Sequence, residues 1–265
     1  MKLEEIYKRE KAGLPLLISG DPVEFVHAYG EARDKEVAGF FASQFAYGRI
    51  EVMKRFLGDL FTRMGAGPAE FVRAGDWSLL DGLYYRFQKG DEIRRLFAAL
   101  RRILIGYGSV EGFFRARYEG DTREAIWRLR QEIVGDDRDL LFFFPKGLPA
   151  NPLKRWNLYL RWMVRKDEID QGLWTFMDKK DLVIPLDTHL FKIGRCLGWT
   201  DRKSPSWHAA QDITGALRKI SPEDPLKYDF LLCHRVGIGA SCTGRRKEAC
   251  ATRCVLMKRG EFIEI

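Results

Sequence analysis

The sequence predicts an all-α protein. Apolar residues recur at spacings of three and four along nearly the whole chain, and β-branched alternating runs are scarce. Glycine, serine or proline stands where the periodic stretches end, as helix stop signals should. No convincing sheet is expected, no repeat of fixed period is visible, and no low-complexity tract interrupts the pattern.

Asp34 to Tyr47 reads as a helix with Val37, Phe40, Phe41, Phe45 and Ala46 available for its buried face, and Gly48 is placed to end it. Ile50 to Met64 follows, closed by Gly65. Glu92 to Gly106 is amphipathic, with Ile93, Leu96, Phe97, Leu100 and Ile103 on one stripe and Arg94, Arg95, Arg101 and Arg102 on the other. That arginine row reads first as a solvated face and second as a track for a phosphate backbone. Thr122 to Val134 is another helix. The segment Phe142-Phe143-Phe144-Pro145-Lys146-Gly147 carries the punctuation of a loop, with its aromatics turned toward the core. From Pro152 to about Lys166 runs a helix rich in aromatics and arginines, then an irregular insertion from Asp167 to Lys180. Helices are expected over Thr188 to Leu197, Ser206 to Ile220 and Pro225 to Val236.

With 265 residues, 46% of them hydrophobic, the chain can bury a sizeable core in one domain or in two lobes. Lysine plus arginine outnumber aspartate plus glutamate 45 to 37, a net charge of +8 that suits a polyanionic partner. Met1 to Lys11 alternates charged and apolar residues, and no apolar run approaches the length of a membrane span. A soluble, cytoplasmic protein without a membrane partner is expected, most simply a monomer. Five cysteines, four of them at Cys233, Cys242, Cys250 and Cys254, do not form the even, dispersed framework of a secreted disulfide protein. Reduced thiols or metal ligands fit better.

Two short stretches carry the chemistry, Leu148-Pro149-Ala150-Asn151-Pro152-Leu153-Lys154 and Ile184-Pro185-Leu186-Asp187-Thr188-His189. Asn151 followed by Pro152 is an N-cap and first-turn signature, which would set Lys154 at about the third helical position. Asp187 is a natural N-cap for the next helix. An amine near the positive end of a helix is disfavoured as a cation, whereas a carboxylate there is favoured as an anion. Such a pair suits a neutral nucleophile beside a lasting negative charge, although an exposed lysine and a plain helix cap account for the same residues.

Leu-Pro-x-x-x-x-Lys opening a helix, followed by a Pro-x-Asp-Thr-His-type segment, resembles the core of the helix-hairpin-helix DNA glycosylase superfamily. The resemblance covers roughly residues 145 to 200. It implies a two-lobed helical fold with a cleft between the lobes, one lobe over about 31–150 and the other over about 1–30 plus 151–265. It also implies roles: Lys154 attacking C1′ of a damaged nucleotide, and Asp187 assisting. Ala150 and Pro152 stand where superfamily hairpins usually carry glycines, and proline has no N–H for a phosphate, so the usual hairpin grip is not expected. The long gap from Lys154 to Asp187 is similar to that of archaeal 8-oxoguanine DNA glycosylases. Lys154-Arg155 with Leu160-Arg161-Trp162-Met163-Val164-Arg165 further resembles a bacterial family of unassigned function.

The activity so implied is a bifunctional DNA glycosylase and AP lyase acting on damaged DNA through a lysine Schiff base. An oxidised purine, 8-oxoguanine first, is the expected lesion, and no cofactor is required. A flipped base must be held between apolar surfaces, for which Trp156, Trp174 and Gln44 are the candidates. Arg155, Arg161, Arg165, His189 and the basic run Arg245-Arg246-Lys247 are candidates for the DNA backbone. Cys233, Cys242, Cys250 and Cys254 follow the glycosylase-like core, where some superfamily members carry an iron–sulfur cluster, but their gaps of eight, seven and three residues do not match that pattern. A cluster or a zinc ion is the lesser expectation there, below reduced thiols. Two other readings stay open: a non-catalytic nucleic-acid binder using the same basic surface, and a cysteine-ligated metal protein.

Overall fold

The computed structural model describes residues 2–146, 149–245, 250–258 and 261–262. The class is all-α. Beyond the helices stands only a two-residue antiparallel pair, β1 (Met257–Lys258) and β2 (Glu261–Phe262), among the described residues. The chain groups into two compact units: Met1–Ile18, Leu148–Arg161 and Asp178–Ile265 form the first, Ser19–Gly147 and Trp162–Met177 the second. Residues 19–30, placed with the other lobe on sequence grounds, and residues 162–177 fall in the second unit.

α1 (Leu3–Glu10) opens the first unit. The second unit then runs through α2 (Glu24–His27), α3 (Ala32–Gln44), α4 (Ile50–Met64), α5 (Pro68–Ala74), α6 (Gly90–Tyr107), α7 (Val110–Arg117) and α8 (Thr122–Leu129), the last continuing as a π-helical turn over Arg130–Val134. Local chemistry sets the ends. Ser109 Oγ accepts the Gly112 N–H at 2.9 Å to start α7, and Asp121 accepts the N–H groups of Arg123 and Glu124 to start α8. Gly65, at φ +69°, ends α4 as its sequence position announces.

α3 departs from its predicted face. Val37, Phe40, Phe41 and Phe45 are buried as expected, but so are Glu36, Ser43 and Gln44, so the helix is enclosed all round from Glu36 onward. Phe41 stacks on Phe97 of α6 at 4.2 Å, and Phe45 meets Phe56, Tyr85 and Phe143. Phe143 and Phe144 are buried, as the loop's expected inward turn requires. The arginine row of α6 serves its own unit: Arg94 pairs with Asp81 and Asp91, Arg95 with Asp137, and Arg101 Nε donates to the Arg73 carbonyl.

α9 (Lys154–Val164) follows, and the first unit resumes with α10 (Thr188–Cys196), α11 (Trp207–Ile220), α12 (Asp229–Leu231) and α13 (Cys250–Arg253). α12 continues into a π-helical stretch over Leu232–Gly239 that packs against α10. Its core holds Trp156, Ile184, Leu190, Ile193, Ile213, Leu217, Tyr228 and Leu231. No helix among the described residues is long and apolar enough to cross a membrane.

Candidate functional site

Lys154 begins α9 rather than standing at its third position. Asn151 Oδ1 accepts the Leu153 N–H at 2.8 Å, and Leu153 takes φ +53°, which stops helical geometry from extending back to Pro152. The first helical hydrogen bond is Asn157 N–H to the Leu153 carbonyl at 2.9 Å, and Asn157 Nδ2 donates to the Pro152 carbonyl at 3.0 Å. A left-handed leucine is unusual, and here its side chain is buried, so core packing holds a backbone that leucine disfavours. The half-buried Lys154 therefore occupies the first helical position, where unpaired backbone N–H groups make the local field most positive.

Asp187 caps α10 as predicted, its Oδ1 accepting the Leu190 N–H at 2.8 Å. Its other oxygen, Oδ2, receives a long contact from the Cys233 thiol at 4.0 Å. Cys233 lies one helical turn beyond Asp229, and Asp229 pairs with Arg161, two turns along α9 from Lys154. The segment 229–239 thus joins the lysine helix to the cap of α10 within the first unit. Its close approach to α10 depends on Gly237, because a Cβ there would lie 2.7 Å from His189 Cβ. His189 is half-buried against it, and its Nδ1 has no hydrogen-bond partner among the described residues.

Several expected contacts belong elsewhere. Arg161 and Arg165, assigned on sequence grounds to the DNA backbone, are buried with internal carboxylates: Arg161 with Asp229, and Arg165 with Asp170 and with Asp167 at 3.0 Å. A guanidinium desolvated against a carboxylate cannot also meet a phosphate without stranding that partner, so both arginines are corrected to internal ties. Trp156 is buried, its ring against Tyr159, and Trp174 is buried with its N–H on Glu36 and its ring against Phe114 and Phe176. These rings pack in the core instead of offering a face to a base. Gln44 is fully buried in α3. Trp156 lies in the first unit, whereas Gln44, Arg165 and Trp174 lie in the second. Arg155 is half-buried and Arg245 exposed; Arg246 and Lys247 lie outside the described residues.

The cysteines divide. Cys242, Cys250 and Cys254 line a cavity of about 210 Å³ together with Cys196 of α10, which the sequence had not singled out, while Cys233 faces Asp187. Burial, with the neighbouring Cys242 and Cys250, pushes the Cys254 thiol up. Among the described residues no group of three histidine, cysteine or acidic side chains is spaced to hold one metal ion. A wider groove of about 820 Å³ in the first unit is lined by Lys2, Trp199, Asp212 and Lys219, not by Lys154 or Asp187.

Sequence reasoning missed Asp229, Cys233 as a neighbour of Asp187, and Glu36. The spacing of Asp229 and Cys233 marks one helix face, yet nothing local names their partners. Glu36 is 4% exposed and accepts the Val110 N–H at 3.0 Å, the Glu111 N–H at 2.7 Å and the Trp174 indole N–H at 3.0 Å. No curated protein and no solved structure matches the chain. A family model described as "Protein of unknown function (DUF2400)" matches residues 21–238, and the chain belongs to that family.

Proposed function

We propose that the protein is a DNA glycosylase with AP lyase activity, of helix-hairpin-helix type, that removes an oxidised purine. The observation that carries this reading is the placing of Lys154 at the first position of α9 and Asp187 at the cap of α10, two helix N-termini tied within one unit through the 229–239 segment. Lys154 Nζ would form a bond to C1′ while the bond from C1′ to the base breaks and the base leaves with a proton. Loss of the amine proton and opening of the sugar ring give a Schiff base, and β-elimination then breaks the 3′ C–O bond. Asp187, held by the Leu190 N–H, would balance the positive charge that develops at the sugar.

A panel of duplexes, each carrying one damaged base, incubated with the protein and borohydride, tests this directly. The expected result is a covalent adduct with an oxidised-purine duplex, lost in Lys154→Gln while the circular dichroism spectrum is kept. Trapping at full level by Lys154→Gln, or no adduct from any duplex of the panel, overturns the reading. In the second case, binding that falls steeply with salt would favour a non-catalytic nucleic-acid binder.

A further inference from the structure

The second unit carries a tight turn whose aromatic side chains are partly left in solvent. Tyr85 and Gln88 exchange backbone hydrogen bonds of 3.0 and 2.9 Å, closing a tight turn with Arg86 and Phe87 at its tip. Its base is tied into the unit: Tyr85 is buried with its hydroxyl on the Tyr47 carbonyl, and the Tyr47 hydroxyl is on Gln88 Oε1. Above it the apolar groups face solvent, with Tyr84 74%, Leu79 60% and Phe87 56% exposed. Phe87 touches Tyr47 and Phe142 with one side only, at centroid distances of 5.7 and 5.1 Å. Large apolar side chains exposed this near one another in the chain are a candidate contact surface.

Two features say what the surface meets. Arg86 holds φ +57°, a conformation that costs a non-glycine residue free energy and persists where the surroundings impose it. Its guanidinium lies over the Tyr47 ring and against Gly48, at φ +91°, where any side chain would collide with it. Arg49 is next in the chain and exposed. Among the described residues neither Arg49 nor Arg86 is in an ion pair, whereas nearby Arg63 and Arg94 are paired with Asp59, Asp81 and Asp91. The turn therefore offers flat aromatic faces together with two guanidinium groups that are in no ion pair among the described residues. Unpaired nucleotides present the complementary set, a π-face on every base and a charge on every phosphate.

We infer that Tyr84 and Phe87, with Arg49 and Arg86, form a stacking contact for unpaired nucleotides of single-stranded or locally opened DNA. The inference shares with the proposed function only the premise that the partner is nucleic acid. Stacking on Tyr84 and Phe87 holds exposed bases, and the two arginines hold the adjoining phosphates.

Fluorescence anisotropy with the full chain, an undamaged single-stranded oligodeoxynucleotide and its perfect duplex tests this. The wild type is expected to bind the single strand more tightly. Tyr84→Ala/Phe87→Ala should weaken single-strand binding by about tenfold or more, with a smaller loss on duplex. Arg49→Gln/Arg86→Gln should lower the slope of log affinity against log salt on the single strand by about 1.4. Lys203→Gln/Lys219→Gln, a pair of exposed lysines in the first unit, should leave the preference for single strand intact. Tyr84→Ala alone, at the most exposed of these positions, keeps the test valid if the double variant unfolds. Single-strand binding unchanged in the aromatic variants overturns the inference. So does a wild type that binds neither DNA, or one whose turn instead drives self-association in sedimentation. Loss of adduct trapping in Lys154→Gln with single-strand binding retained separates this contact from the proposed chemistry, and absence of trapping with aromatic-dependent binding would refute the chemistry alone.

Discussion

Replacing Arg161 by methionine should destabilise the protein far more than any surface arginine would. The Arg161 and Asp229 side chains are each 3% exposed, and the guanidinium also lies 5.8 Å from the Phe230 ring centre. Removing the arginine takes away the guanidinium that the buried Asp229 carboxylate pairs with, a loss of about 3–5 kcal/mol. Replacing both partners strands no charge, so Arg161→Met/Asp229→Leu should lie much closer to the wild type than Arg161→Met does. Urea unfolding followed by circular dichroism and tryptophan fluorescence measures each stability, and the four proteins close a double-mutant cycle. A coupling of about 2 kcal/mol or more is expected. A cost for Arg161→Met below about 1 kcal/mol, with the two changes additive, would refute a buried pair. Lower DNA affinity in Arg161→Met with no change in the urea midpoint would return Arg161 to the phosphate backbone.

Three further outcomes are expected. Burial raises the Glu36 carboxyl above its ordinary value of 4.5 despite the three N–H groups that favour its anion. The native state therefore holds the proton longer than the unfolded chain, and the stability Glu36 contributes is present below the unfolded value and lost as pH rises through the folded one. Urea midpoints of wild type minus Glu36→Gln should thus fall with rising pH above about 4.5, and a difference that rises with pH would contradict the assignment. Asp187→Asn keeps an acceptor for the Leu190 N–H, so stability should change by less than about 1 kcal/mol while borohydride trapping drops at least about a hundredfold; equal losses in both would reduce Asp187 to a cap. Cys254, with its thiol pushed up by burial, should be alkylated by iodoacetamide about tenfold more slowly than a free cysteine at neutral pH, and mass spectrometry showing it the fastest of the five would be inconsistent with that environment.

The helical class, the span of α4 and the Asp187 cap were legible because each depends on neighbours close in the chain. Periodicity set the class, Gly65 the end of α4, and an acceptor side chain the start of α10. The start of α9 was less legible. Asn151-Pro152 reads as a cap and first turn, but the Asn151 side chain closes on Leu153 instead, and the buried Leu153 turns left-handed and delays the helix to Lys154. That choice belongs to core packing, which no local propensity encodes.

From the amino-acid order alone come the identity of the groups that carry charge and their positions at helix ends. Only tertiary structure decided which of them face inward. Arg161 and Arg165, which the sequence offers as contacts to a DNA backbone, and Glu36, which it does not single out, are each buried because a partner distant or offset in the chain, Asp229, Asp170 or the α7 N-terminus, compensates the desolvation. Tyr84 and Phe87 are the converse: aromatic residues, apolar in kind, that the folded chain leaves largely in water. Burial is a property of the whole packed surface, so the side on which a residue falls is settled only when every neighbour is in place.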